Sequence, residues 1–266
     1  MRDNKLKLND DKLHLIVIDT GCSKIRYEES RKVRISTPNI SIEPSSTQKL
    51  LGCWIHDSLK WSEHLTNANE NMVKSLNIRL GALKKICRLT TFKNRKMIAN
   101  GLFLSKLTYL ICLWGGCSCQ LRKTLQVIQN RAARFVASCD WSVPLKEVFR
   151  QIGWMSVNQL VFYHTVLLVF KVKRNMSPCY LYNMFNSKYG YNTRRAGSGA
   201  IQMVGRPKLE LNKLSFKWRG SSLFNDLPSD IRQLSCETTF KLRVKAWIVN
   251  NVDFSWSTSR GIQYNL

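Results

Sequence analysis

KLLGCWIHDSLKWSEHL, residues 49–65, carries the chain from one kind of structure to another. Leu50, Leu51, Cys53 and Ile55 are apolar around Gly52, a composition that suits a strand. Asp57-Ser58 then turns the chain, and Ser62 with Glu63 opens a helical pattern. A glycine inside a strand marks a bulge, or a surface that another backbone must approach closely. The change of character near Trp61 divides the sequence in two.

Upstream, LHLIVID (13–19), the segment around KVRIS (32–36) and KLLGCWI (49–55) have β-type composition. Gly21, Pro38 and the Pro44-Ser45-Ser46 break separate them, which predicts a small antiparallel sheet. Downstream, Leu65, Met72, Leu76, Leu80, Leu83 and Cys87 recur at helical spacing behind Ser62 as N-cap. Thr90 or Thr91 caps a second helix that runs through Met97, Ile98 and Leu102 towards Leu113. A third helix is expected over about 121–138, with Leu121, Leu125, Ile128, Ala132 and Phe135 on one face. Pro144 suits the first turn of a short helix ending at Gly153, and Pro178 starts another. Between them Ser156 and Gln159 form a capping box for a long helix to about Lys173. Residues 187–222 are dominated by glycine, serine and basic residues, and read as a loop-rich segment with at most one hairpin. A terminal helix over about Thr238 to Asn250 closes the chain. The expected class is α+β, mainly α, in four parts: 1–60, 61–140, 141–186 and 187–266.

A chain of 266 residues, 44% hydrophobic, is long enough to bury a core. Its 42 Lys and Arg against 17 Asp and Glu give a formal charge of +25. Self-repulsion of that size costs stability unless a polyanion screens it, which points to nucleic acid, with an acidic membrane surface as the rival. The longest apolar run, Leu160 to Phe170, is too short to span a bilayer and reads as a buried helix. MRDNKLKLNDDK lacks the apolar core of a signal peptide, which predicts reduced thiols and a nuclear or cytoplasmic, not secreted, protein. Cys112, Cys117 and Cys119 cluster in CLWGGCSC, but no CxxC pair occurs and the four histidines are not at finger spacing. Core thiols are the expectation, with no metal site.

The charge is uneven. Between 67 and 140 the acids are Glu70 and Asp140 alone, against Lys74, Arg79, Lys84, Lys85, Arg88, Lys93, Arg95, Lys96, Lys106, Arg122, Lys123, Arg131 and Arg134. That leaves too few carboxylates for ordinary i,i+4 pairing on a helix surface, and favours contact with phosphates. QNRAAR (129–134) sets Arg131 and Arg134 on one helix face, a geometry suited to successive backbone phosphates.

Taken in order, several stretches resemble the reverse transcriptase of non-LTR (LINE-type) retrotransposons, from late palm to C-terminal region. NKLKLNDDK (4–12) is similar to the family's N-x-L-x-L-N-x-x-K passage. KLLGCWIHDSLKWSEH (49–64) is similar to its Y-L-G-V-x-I-D-x-x-L-x-W-x-x-H segment. LTYLICLWGG (107–116) and LQVIQNRAARFVA (125–137) resemble the helices that follow. YNTR (191–194), SFKWRGSSLFNDLPSDIR (215–232) and TFKLRVKAW (239–247) resemble the C-terminal tail. The pattern is broken at Leu13, where threonine is frequent, and at Leu50, where an aromatic is usual.

The resemblance implies a partial palm with a primer-grip hairpin, a basic helical thumb and a loop-rich tail. Gly52 would then let a strand approach nucleic acid with no Cβ in the way. The implied nucleic-acid-binding residues are Leu51, Gly52, Cys53 and Trp54 in the grip. They continue with Lys84, Lys85, Arg88, Lys93, Arg95 and Lys96 at the corner of the thumb, Arg131 and Arg134 on the next helix, and Arg194 and Arg195 in the tail. Trp54 and Trp61 are candidates for stacking on bases, with burial at the sheet–helix junction the alternative for Trp61. The parent enzyme would use magnesium held by paired aspartates after an aromatic residue, in a turn between strands. Asp10-Asp11 lacks that setting, so no catalytic residue and no cofactor is assigned to this chain. Two functions fit. One is a C-terminal polymerase fragment that binds RNA or an RNA–DNA hybrid without sequence specificity, with no membrane and no small-molecule ligand. The other is a domesticated or unrelated basic protein that binds RNA or chromatin without enzymatic activity.

Overall fold

The computed structural model describes residues 12–18, 32–36, 41–87, 89–185, 199–201 and 210–252. The molecule is mainly helical, with short antiparallel strand pairs near the N-terminus, and its chain divides into two units, Met1–Lys74 and Ser75–Leu266.

In the first unit β1 (Ile35–Ser36) pairs with β2 (Ser41–Ile42), and β3 (Thr47–Leu50) with β4 (Cys53–His56), as two separate antiparallel pairs. Among the described residues the strands make two separate pairs instead of the single small sheet expected from composition. The described part of LHLIVID adds only an isolated bridge from Leu15 to Pro44. Pro44 has no N–H to extend that ladder, and the Leu15 carbonyl accepts from both the Ser45 backbone, at 2.9 Å, and the Ser45 hydroxyl, at 3.2 Å.

Gly52 does not lie within a strand. Leu50 faces Cys53 in the register, so Leu51 and Gly52 are the two central residues of a tight hairpin turn. Their φ values, 48° and 78°, are both positive, the signature of a type I′ turn. Glycine is at home there, whereas Leu51 carries a Cβ penalty of about 1 kcal/mol.

The long helix also begins later than Ser62, behind a separate helical turn. Ser62 already has helical backbone angles and makes no side-chain cap, and Glu63–Asn67 is a single π-helical turn. The cap is Asn71, whose Oδ1 accepts from the Lys74 N–H at 2.8 Å and whose amide donates to the Thr66 and Ala68 carbonyls, each at 2.7 Å. From there α1 runs Met72–Cys87. The π-turn and the residues after it bond back to β4. The Trp54 N–H donates to His64 Nδ1 at 3.4 Å, and its indole N–H to the Glu70 carbonyl at 3.3 Å.

In the second unit Thr91 caps α2 (Phe92–Ala99), its hydroxyl accepting from the Asn94 N–H. The chain passes through a π-turn, Asn100–Leu104, into α3 (Ser105–Thr108), then breaks at Leu110, φ 54°. After the short α4 (Ile111–Trp114) comes α5 (Cys119–Ala137), capped by Ser118. Pro144 stands at the N-cap of α6 (Leu145–Ile152) rather than inside its first turn. The Ser156–Gln159 capping box is formed and opens α7 (Val157–Lys173). Behind Pro178 lies α8 (Cys179–Phe185).

α7 is buried nearly all round, from Val157 to Val172, and α4, α5, α8 and the helices Phe216–Asn225 and Glu237–Asn251 pack on it. Its first N–H groups are satisfied inside the core: Val157 donates to the Gln126 side chain at 2.7 Å, and Gln159 to the Ser156 hydroxyl. Gly115 and Gly116 let neighbours close in. A Cβ on Gly115 would lie 2.8 Å from the Val161 side chain, and one on Gly116 2.7 Å from the Leu214 carbonyl.

In the described part of the basic tail, residues 210–222 are mostly helical where a loop was expected. Within 187–222, α9 (Glu210–Leu214) and α10 (Phe216–Asn225) are formed, and α11 (Ser229–Arg232) and α12 (Glu237–Asn251) follow. Lys213, Lys217 and Arg219 hide the apolar spacing of Phe216, Leu223 and Phe224 in the sequence. Phe224 stacks on Phe240 of α12, which stacks on Phe170 of α7 at 4.1 Å.

Among the described residues no single helix is long and apolar enough to cross a membrane. α6 and α7 pass on length and composition only as a pair bent by 44°, and α7 is the core helix.

Candidate nucleic-acid interface

Three helices that carry much of the positive charge, α1, α2 and α5, contain no acid. Their cations nevertheless separate into two groups, and the division follows residue type.

The arginines largely point inward. The Arg79 guanidinium donates to the Leu102 carbonyl at 2.9 Å. Arg95 donates to the Val136 carbonyl at 3.2 Å and the Thr90 carbonyl at 2.6 Å, tying the start of α2 to the end of α5. Arg134 donates to the Asp140 and Val143 carbonyls at 2.5 and 2.9 Å, fastening the segment that leaves α5. Arg122 is buried at the start of α5, near Cys117 and Cys119. Arg219 of α10 donates to the Cys112 carbonyl, and burial pulls its guanidinium down to about 10. Guanidinium suits this work because it is weakly hydrated and carries five donors in a rigid fork.

The lysines point outward. Lys84, Lys85, Lys93 and Lys123 are exposed, and Lys96 is half-buried. The Lys84 ammonium sits 5.1 Å above the Phe135 ring. Arg131 is the exposed arginine of the pair expected to face phosphates together, and Arg134, three residues on, is engaged by carbonyls. Arg88, Arg194 and Arg195 lie outside the described residues.

In the hairpin Leu51 is 82% exposed and Gly52 is exposed, whereas Cys53 is buried. Trp54 is half-buried, its indole N–H spent on the Glu70 carbonyl and its ring covered by the Lys49 ammonium at 5.7 Å. Lys49 also pairs with Glu70 and holds that carboxyl below the usual range. Trp61 is half-buried. Of these four hairpin residues, Leu51 and Gly52 are the exposed ones.

No family model, curated protein or solved structure matches this chain.

Three thiols bear on the expectation of core cysteines. Cys117 is buried and Cys112 half-buried, and burial pushes both up to about 11. Cys236, by contrast, is exposed. Among the described residues no three His, Cys, Asp or Glu side chains converge as metal ligands would.

Trp141 was not singled out by its sequence. It follows α5 in CDWS and is 75% exposed, with the Arg134 guanidinium 5.1 Å above its ring. The available signal was a large aromatic among polar residues directly after an acid-free basic helix.

Proposed function

We propose that this chain is a nucleic-acid-holding part of a non-LTR retrotransposon reverse transcriptase, from late palm through thumb to the C-terminal region. On this reading it contacts RNA or an RNA–DNA hybrid through phosphates, without reading sequence, and supplies no catalytic aspartates of its own. The paired metal ions of polymerisation would belong to residues this chain does not provide. The observation that carries the reading is the set of outward lysines on α1, α2 and α5, helices with no acid among them. A solvated face on an ordinary soluble protein mixes signs, whereas exposed cations on helices without acids suit a polyanion. Lysine is a compact point charge rather than a fork, which favours contact with phosphate over readout of base edges. The order of motifs from residue 4 to residue 247 supports the family reading.

The deciding experiment is a salt titration of binding to a labelled RNA–DNA hybrid by fluorescence anisotropy. The expected result is a linear fall of log affinity with log salt, steep enough for several phosphate contacts. A peptide nucleic acid of the same sequence, with its neutral backbone, should bind far more weakly. Equal affinity for the two would overturn the proposal.

A further inference from the structure

We propose that Trp141 is a stacking platform for an unpaired base, set where the basic face of α5 ends. The inference rests on the nucleic-acid reading above and adds a ligand class: single-stranded nucleic acid, whose bases are free to leave one another.

Trp141 is a large apolar side chain left 75% in solvent, although an unclad indole loses contact free energy there. Its position is nevertheless defined. Arg134 lies over one side of the ring at 5.1 Å, and Arg134 is itself held by the Asp140 and Val143 carbonyls on either side of Trp141. One ring face is thus clamped by a cation whose own geometry is fixed by hydrogen bonds. A platform ordered before the ligand arrives costs less to use.

The charge around the ring selects the occupant. α5 holds no acid, and its exposed Lys123 and Arg131 lead along the helix to Arg134 and the ring. Exposed Lys146 and Arg150 follow on α6, against Asp140 and Glu147. A cation-lined track ending on an open aromatic face is the arrangement with which proteins hold single strands, the backbone on the cations and a base on the ring. In a duplex each base is already stacked on both sides, so the platform adds nothing to duplex binding.

The test compares a labelled oligouridylate with an abasic phosphodiester of the same length and charge, at fixed salt. Wild type should prefer the oligouridylate. Trp141→Ala should weaken oligouridylate binding by about five- to a hundredfold, the worth of one stacked base, and leave the abasic affinity unchanged. Trp141→Phe should keep most of the preference. Because the ring is exposed, its loss empties no core, and unchanged circular dichroism and melting should accompany the effect. Equal affinity of wild type for the two ligands overturns the platform while leaving phosphate binding in place. Equal weakening of both ligands by Trp141→Ala also overturns it. Failure of wild type to bind either polyanion removes the nucleic-acid reading and the platform with it.

Discussion

Arg95 and the lysines around it offer a clean separation of stability from binding. All belong to one basic corner in the sequence, yet they stand in different surroundings. Lys84, Lys85 and Lys93 are exposed, whereas the Arg95 guanidinium is half-buried and donates to the Val136 and Thr90 carbonyls. Changing the three lysines to glutamine should remove up to three phosphate contacts, flattening the log affinity against log salt slope by about 2–3. The same triple variant should melt almost as wild type does, since the one interaction given up is the exposed contact of Lys84 with Phe135, of about 0.5–1 kcal/mol. Arg95→Gln should do the reverse. It loses two charge-assisted hydrogen bonds and uncovers the small apolar space among Leu83, Ile86, Phe135 and Val136. A loss of about 2–3 kcal/mol follows. In a body of this size that lowers the melting temperature by about 5–10 °C. The salt slope should stay within about one unit of wild type. The assays are thermal melts by circular dichroism and anisotropy titrations from low to moderate salt. A flattened slope for Arg95→Gln with an unchanged melt would refute the division between inward arginines and outward lysines.

Three further outcomes are expected. Gly115→Ala should destabilise the second unit by about 3 kcal/mol or more, read by chemical denaturation, because its Cβ would meet the Val161 side chain at 2.8 Å and the Ile111 carbonyl at 2.5 Å. Leu51→Asn should slow hydrogen exchange of the β3–β4 amides, since asparagine tolerates the positive φ of a type I′ turn and relieves a penalty of about 1 kcal/mol; faster exchange would contradict the turn assignment. In thiol alkylation near pH 8, Cys236 should react before Cys112 and Cys117. Hydrogen bonding from the Thr239 backbone, seconded by its side chain and by Thr238, holds Cys236 below the ordinary thiol value, so its thiolate forms at lower pH. Burial pushes the other two up to about 11 and leaves them protonated, and Cys117 labelling as fast as Cys236 in native protein would contradict that ordering.

What the sequence made legible, and what it hid, follows the range of the forces involved. Capping is local chemistry, and the Ser156–Gln159 box, the Thr91 cap and the helix behind Pro178 all stand where their residues announced them. Ser62 misled because the hydrophobic spacing continues across Ala68 to Glu70, and nothing in that spacing says Asn71 is better placed to take the cap. Gly52 misled because two residues between apolar runs read equally as a strand centre or a turn, and the register alone separates the readings. Charge was the least legible quantity. Thirteen cations between 67 and 140 look alike in the sequence, yet their roles depend on which carbonyls the fold leaves within reach. Val136, Thr90, Leu102, Asp140 and Val143 present theirs to Arg95, Arg79 and Arg134, at helix ends or inside a π-turn. Those are the places where backbone acceptors lack intrahelical partners. A basic protein of this kind therefore divides its positive charge. In α1, α2 and α5 most guanidinium groups bond carbonyls at helix ends and turns, and most ammonium groups, strongly hydrated and costly to bury, stay outside where a polyanion meets them. The charge available for binding is accordingly smaller than the formal +25, and the salt slope should count the exposed cations rather than the whole basic composition.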